Sequence, residues 1–454
     1  MALIATLIFV ALIIALIRFT REPGVKVSAA VWIAFAWLWF ASSRGPSQWL
    51  TVQTTSRVAS TAYSEGNAID RNLLGGLMLL GVLVLTSRAK ITVAFLAANI
   101  PAVLFFGYCL LSVLWSDHPD ISWRRWFRGI GDLVMVTLIL TEPDWVRGFR
   151  WIYVRLACVL LPLSILFFRF YPSFGRNYNI HDGQVSMTGV TDDKNALGMI
   201  AMLFSLAVGA GILDALRSKG RQRKQRLIGY SSVCAMGVYI VAGAHSATAV
   251  ACLVLGGGVM FLASKPKIAK RAVLVHGMVA AVLSVSALSV FADTGLLQLL
   301  GRNPTLTGRT MIWERCLSIV TNPLLGAGYE NFWLGSRLAK MWEYIYGFNQ
   351  AHNGYLEIYL NLGWVGVALL VTILVAGYRN IFRAVRRGEP GANLRLAYFV
   401  VACVYNVTEA GFKMVHPMWI VLLFVSAAPA PRWPRVARRP LVRKPDLAME
   451  TMIA

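Results

Sequence analysis

Apolar stretches of membrane-spanning length recur from one end of this 454-residue chain to the other, mostly separated by short charged loops. Hydrocarbon offers backbone N–H and C=O groups no partner, so such stretches close their hydrogen bonds internally, as helices. They fall near 2–18, 27–42, 72–86, 91–115, 129–141, 151–170, 195–216, 227–243, 247–263, 272–291, 354–378, 396–410 and 417–429. With 57% hydrophobic and 14% charged residues, the expected fold is an all-α polytopic membrane protein of 12–13 transmembrane helices. The chain divides into a bundle over 1–291, a large extracytoplasmic loop over 292–353, further spans over 354–429 and a basic tail over 430–454. The opening "MALIATLIFVALIIALIRFT" lacks the basic start and small-residue cleavage site of a signal peptide, and reads as a retained span.

A net charge of +23 would point a soluble protein toward nucleic acid. Here 29 of the 44 Lys and Arg residues fall in 18–26, 88–90, 147–155, 217–226, 265–271, 379–395 and 432–444. The positive-inside rule puts those segments in the cytoplasm. Topology thus accounts for most of the charge, and no nucleic-acid partner is expected. The six cysteines show no C-x-x-C or zinc-type spacing and read as packing residues. The sequence calls for no metal and no cofactor.

The other 15 basic residues face outward and cluster. Arg124, Arg125 and Arg128 lie in "SWRRWFRG"; Arg169, Arg176 and Lys194 follow; Arg302, Arg309, Arg315, Arg337 and Lys340 sit in the long loop. For any one of them, lipid headgroups are the simpler explanation. Together they suit a diphosphate, whose oxygens match the forked donors of arginine. In the long loop, "TGRTMIWERCLSIVTNP" reads as a short helix starting near Thr310 and ending before Pro323. "LLGAGYE" is then a glycine turn, and "NFWLGSRLAKMWEYIYG" a second amphipathic helix. Trp313, Trp333 and Tyr346 suit stacking on sugar rings, or equally an interfacial aromatic belt.

His352 stands immediately before a long apolar run, with Gln350 and Asn353 beside it. Imidazole titrates nearer neutrality than other side chains, which suits a general base. A hydrogen-bonded interface histidine is the plainer alternative. His118, His181, His245 and His416 also face outward, so position alone does not choose among them. Asp192 and Asp193 suit either a cation or an N-terminal helix cap. Glu409, near the end of a span, is costly enough there to suit a functional role or an arginine partner.

Three ordered elements, "GRTMIW", "NPLLGAGYENFW" and "AHNGYLEIYLNLGWVG", closely resemble the O-antigen ligase / Wzy-type polymerase superfamily. "WSDHPDISWRRW", "TDDKNALGMIA" and "HSATA" resemble the outer loops of its exopolysaccharide branch, the type that polymerises succinoglycan-like chains. The resemblance implies a helical fold related to the C-type glycosyltransferases. It also implies transfer of a glycan from undecaprenyl diphosphate to an acceptor hydroxyl outside the cytoplasmic membrane. The essential histidine of the A-H-N element falls on His352. Arg309 is the best-supported diphosphate ligand, with Arg124, Arg125, Arg128, Arg176 and Arg337 behind it. Gln350, Asn353, Trp313, Trp333, Tyr346 and Glu409 are the acceptor-side candidates.

The expected function is polymerisation of lipid-linked repeat units in a bacterial inner membrane, with an active site facing the periplasm. It would be inverting and metal-independent. The partners are the undecaprenyl-diphosphate-linked donor, the glycan acceptor and the bilayer, with a chain-length regulator as a candidate. A ligase delivering finished glycan to lipid A–core or protein would use the same donor site. A transporter would need charged groups deep in the spans and an inverted repeat, and the sequence offers little of either.

Overall fold

Each apolar stretch lies on helix in a computed structural model that describes residues 1–22, 27–50, 67–178, 185–220, 222–291, 306–344 and 347–429. Tyr346, Arg302, His181 and the basic tail 430–454 lie outside the described residues. The main helices are α1 (Ala2–Phe19), α2 (Ala29–Ala41), α3 (Ala68–Ser87), α4 (Ala89–Ala98), α5 (Ile100–Leu111), α6 (Pro119–Leu140), α7 (Trp145–Phe170) and α8 (Lys194–Arg217). They continue as α9 (Arg223–Gly243), α10 (Ala247–Ala263), α11 (Ala272–Phe291), α12 (Leu306–Ser318), α13 (Gly335–Tyr344), α14 (Gly354–Arg386), α15 (Ala392–Thr408) and α16 (Pro417–Ser426).

Among the described residues, α1, α3, α7, α8, α9 and α14 are each long and apolar enough to cross a membrane. The chain is a multi-pass, all-α membrane protein. Burial sorts the helices: 78% of the apolar window of α8 is inside the protein, against 11% for α1. α8 therefore forms the centre, flanked by α9 and α10, and α15 packs on α10, α14 and α16. α1 turns Leu3, Ile4, Leu7 and Ile8 outward, as a lipid-facing helix does.

Three expectations change. The stretch 91–115 is not one straight helix: α4 meets α5 and the 3-10 turn after it at 90°. Pro101, without an N–H, cannot extend a preceding helix. Asn99 occupies the corner and exchanges hydrogen bonds with both backbone groups of Ala428, at 3.0 and 2.8 Å, clamping the end of α16. The outer loop 116–128 is largely helix, because α6 starts at Pro119 and carries "SWRRW" on its first turns. The loop 171–194 contains a small antiparallel hairpin, β1 (Arg176–Tyr178) with β2 (Val185–Met187).

The long loop folds onto its own apolar core of Ile312, Cys316, Phe332, Trp333, Met341, Ala351 and Leu360. That cluster joins α12, α13 and the start of α14 to the segment between them. Its position depends on a break in α14 at Gly363, where φ is 62° and ψ −165°. The backbone groups freed there pair with the glycine turn 322–328. Trp364 and Val365 donate to the carbonyls of Pro323 and Leu324 at 3.0 and 3.2 Å. Ala327 and Gly328 donate back to Leu360 and Asn361 at 3.1 and 2.8 Å.

This contact is backbone on backbone. A Cβ on Gly326 would lie 2.5 Å from the Asn361 carbonyl carbon, and one on Gly363 would lie 2.2 Å from the Leu324 oxygen. Gly363→Ala should therefore cost at least about 1–3 kcal/mol from backbone strain alone. A lower midpoint for loss of the monodisperse protein on stepwise heating checks this; an unchanged midpoint contradicts it.

Candidate active site

His352 lies at the mouth of α14, in a segment that the chain fixes tightly. Asn353 is the N-cap: its Oδ1 accepts from the N–H groups of Tyr355 and Leu356 at 3.0 and 3.1 Å. One residue earlier, His352 takes a left-handed φ of 49°, uncommon without glycine. Two contacts hold the preceding residue. The Trp313 indole donates to the Ala351 carbonyl at 2.8 Å, and the Ala351 N–H donates to the Glu357 carboxylate at 2.5 Å.

The turn after α15 brings in the acid. The Gly354 N–H donates to the Glu409 carbonyl at 3.0 Å, which ties the two segments together. The buried Glu409 carboxylate lies 3.4 Å from His352 Nδ1 through one oxygen and 3.3 Å from the Arg309 guanidinium through the other. Arg309 also donates to the Thr408 carbonyl. A buried carboxylate needs such partners. With five N–H donors, the half-exposed guanidinium keeps capacity for an anion. The carboxylate thus meets the imidazole at its Nδ1.

The remaining arginine candidates do not join this cluster. Arg125 is buried and donates to the Glu330 carbonyl. Arg337 pairs with Asp117 at 2.6 Å. Arg176 donates to the Phe168 carbonyl at 2.8 Å from the hairpin. Arg128 is half-buried within electrostatic reach of Asp70, and Arg124 is exposed. Asp193 caps α8, accepting from Asn195 and Ala196 at 2.8 and 2.9 Å. Asp192 faces Arg44 and Gln48, and burial raises its pKa against the Arg44 charge.

Among the acceptor candidates, Asn353 is occupied by the helix cap and Trp313 by the Ala351 carbonyl. Gln350 accepts from the Lys413 ammonium at 3.4 Å. Trp333 is buried and donates to Glu357 at 2.8 Å. Both line a cleft beside the His352 segment.

Two acids escaped the sequence reading. Glu357 lies in the first turn of α14, where an acid reads simply as a partner of the helix dipole. Asp132 lies fully buried in the apolar run of α6, and an ionisable residue at such a position was the available signal. Its carboxylate accepts from the Trp37 indole at 2.9 Å and the Val415 N–H at 2.8 Å. It thereby anchors the turn that carries Glu409 and Lys413.

Part of the chain that carries these residues is similar to known proteins. Residues 230–371 match the O-Antigen ligase family, a stretch that includes Arg309, the glycine turn and His352. The chain is also similar to Exopolysaccharide production protein ExoQ of Rhizobium meliloti (strain 1021). The two are 27% identical over 289 residues, covering 60% of this chain and 63% of that protein. The chain thus spans a little under two thirds of that relative's length. Its resemblance to the O-antigen ligase / Wzy-type superfamily, near the exopolysaccharide branch, rests on both matches.

The 409–416 turn also carries a pH dependence. His416 Nδ1 accepts from the Met418 N–H at 3.3 Å and caps α16, with the Tyr405 ring and Lys413 nearby. Burial, then the Lys413 charge, push its pKa well below 6.5. The unfolded chain therefore binds a proton at this histidine that the folded protein rejects, and stability falls as pH drops below roughly 6.5. His416→Asn keeps a capping acceptor and removes this contribution. Thermal midpoints at about pH 7.5 and about pH 5.5 should differ less in the variant than in the parent; equal differences contradict the assignment.

Proposed function

We propose that this protein polymerises undecaprenyl-diphosphate-linked polysaccharide repeat units at the periplasmic face of a bacterial inner membrane. The observation that carries the reading is the meeting of Arg309, Glu409 and His352 at the mouth of α14, two of them within the matched family stretch. The polyprenyl tail lies in the bilayer, and its diphosphate and sugars emerge at that mouth.

The reaction follows from the groups. Nε2 of His352 takes the proton of an acceptor hydroxyl while Glu409 stabilises the charge that the imidazole acquires. The hydroxyl oxygen bonds to the anomeric carbon of the donor glycan as its bond to the diphosphate oxygen breaks. Undecaprenyl diphosphate departs with the bonding pair, and Arg309 stabilises the charge on it. A single displacement inverts the anomeric centre. The 3.4 Å His352–Glu409 separation is long for a hydrogen bond.

Protein in nanodiscs, given one synthetic polyprenyl-diphosphate repeat unit and no other acceptor, should yield a ladder spaced by one repeat with inverted linkages. Product only after lipid A–core or a protein is added would make it a ligase. No product with any acceptor, from well-folded protein, would overturn glycan transfer. His352→Ala should reduce the transfer rate by roughly 10²–10⁴-fold. Arg309→Lys loses the forked donor and should fall by roughly 10²–10³-fold. Normal rates in either variant would remove that residue from the mechanism.

A further inference from the structure

We infer that the cleft beside the His352 segment is the subsite for an uncharged, hydroxyl-rich sugar of the acceptor, an assignment that rests on the glycan-transfer reading above. Its polar lining comes from Glu330, Asn349, Gln350, Glu357, Asn361 and Lys413, over a floor that includes buried Trp333 and Phe412. The cleft is lined by near neighbours of the reactive cluster in the chain. Gln350 lies two residues before His352, and Ala410 directly follows Glu409.

The charges select the ligand. Two carboxyl groups and one ammonium line the cleft and no arginine does, in contrast to the Arg309 side of His352. Carboxylates accept hydrogen bonds from sugar hydroxyls, and amide groups both accept and donate. A diphosphate would find no forked arginine donor there, and a uronic acid would meet the Glu330 carboxyl. The apolar floor suits the C–H face of a pyranose.

The cleft is also built to hold its shape. Glu330 keeps a left-handed φ of 52°, costly for a residue with a side chain, while Arg125 holds its carbonyl. Glu357 is fixed by the Ala351 N–H and the Trp333 indole, and Gln350 by Lys413. Glu357 thus joins the wall of the cleft to the loop that positions His352. The arrangement couples acceptor seating to the placement of the base.

The test uses the sugar without its lipid. Free repeat-unit oligosaccharide, released by mild acid from the host's polyprenyl-diphosphate pool, is titrated against the full-length protein in nanodiscs by calorimetry. The parent protein should bind it, and Glu330→Gln and Gln350→Ala should each weaken binding roughly tenfold. Both variants should retain binding of undecaprenyl diphosphate and their thermal midpoints. Equal affinity in parent and variants would overturn the subsite, as would preferential binding of a uronic-acid oligosaccharide or no sugar binding at all. Sugar that binds through Glu330 but is never transferred would leave the cleft standing and remove the catalytic reading. A normal product ladder from Glu330→Gln with an unchanged acceptor KM would do the reverse.

Discussion

The site depends on one interruption in a membrane helix. At Gly363 the backbone of α14 leaves helical geometry, and the turn 322–328 supplies the hydrogen bonds that the break removes. Non-helical backbone at such a place is tolerated only when protein groups satisfy it. The exchange fixes the centre of the long loop against the bundle by main-chain bonds, and α12 and α13 then pack around it. Trp313, carried by this loop assembly, holds Ala351 directly, and Trp333 holds Glu357, which accepts from the Ala351 N–H. The strain at His352 is sustained by that surrounding structure.

Charge is organised around the same junction. Four outward arginines have protein partners: Arg44, Arg125 and Arg176 donate to backbone carbonyls, and Arg337 pairs with Asp117. Guanidinium suits this work because its many donors satisfy loop carbonyls at the edge of an apolar bundle. Glu409 differs, since its buried carboxylate is shared between a guanidinium and an imidazole. On the proposed reading, that sharing lets one acid both restrain the anion-binding arginine and orient the base. On the same reading, the cleft next door, which no arginine lines, takes the neutral end of the substrate and leaves the diphosphate end to Arg309.

Much of this was legible in the residues. Apolar length located the helices, because a spanning segment must satisfy its own backbone. The glycine turn and the loop helix around Arg309 and Trp313 followed from turn and capping chemistry. The bend at Asn99 was not visible by hydropathy, since both arms are apolar; Pro101 was the one mark it left. The helical start of α6 was hidden by its polar residues, of which Ser122 and Arg125 face partners in the fold. The roles of individual arginines were also hidden. Whether a guanidinium meets a carbonyl or a ligand depends on contacts hundreds of residues away, as with Arg125 and Glu330. Glu409 and His352, 57 positions apart, could be suspected singly, but their pairing required the turn that Asp132 anchors.

The most direct measurement is a cryo-EM map of the protein in nanodiscs with a non-transferable phosphonate analogue of a polyprenyl-diphosphate sugar. The account predicts the phosphonate–phosphate group on Arg309, the polyprenyl chain leaving into the bilayer, and the anomeric carbon on the open side of the His352 ring. A headgroup bound away from Arg309, for example over Arg124 or the Arg176 hairpin with His352 remote from the sugar, would contradict it.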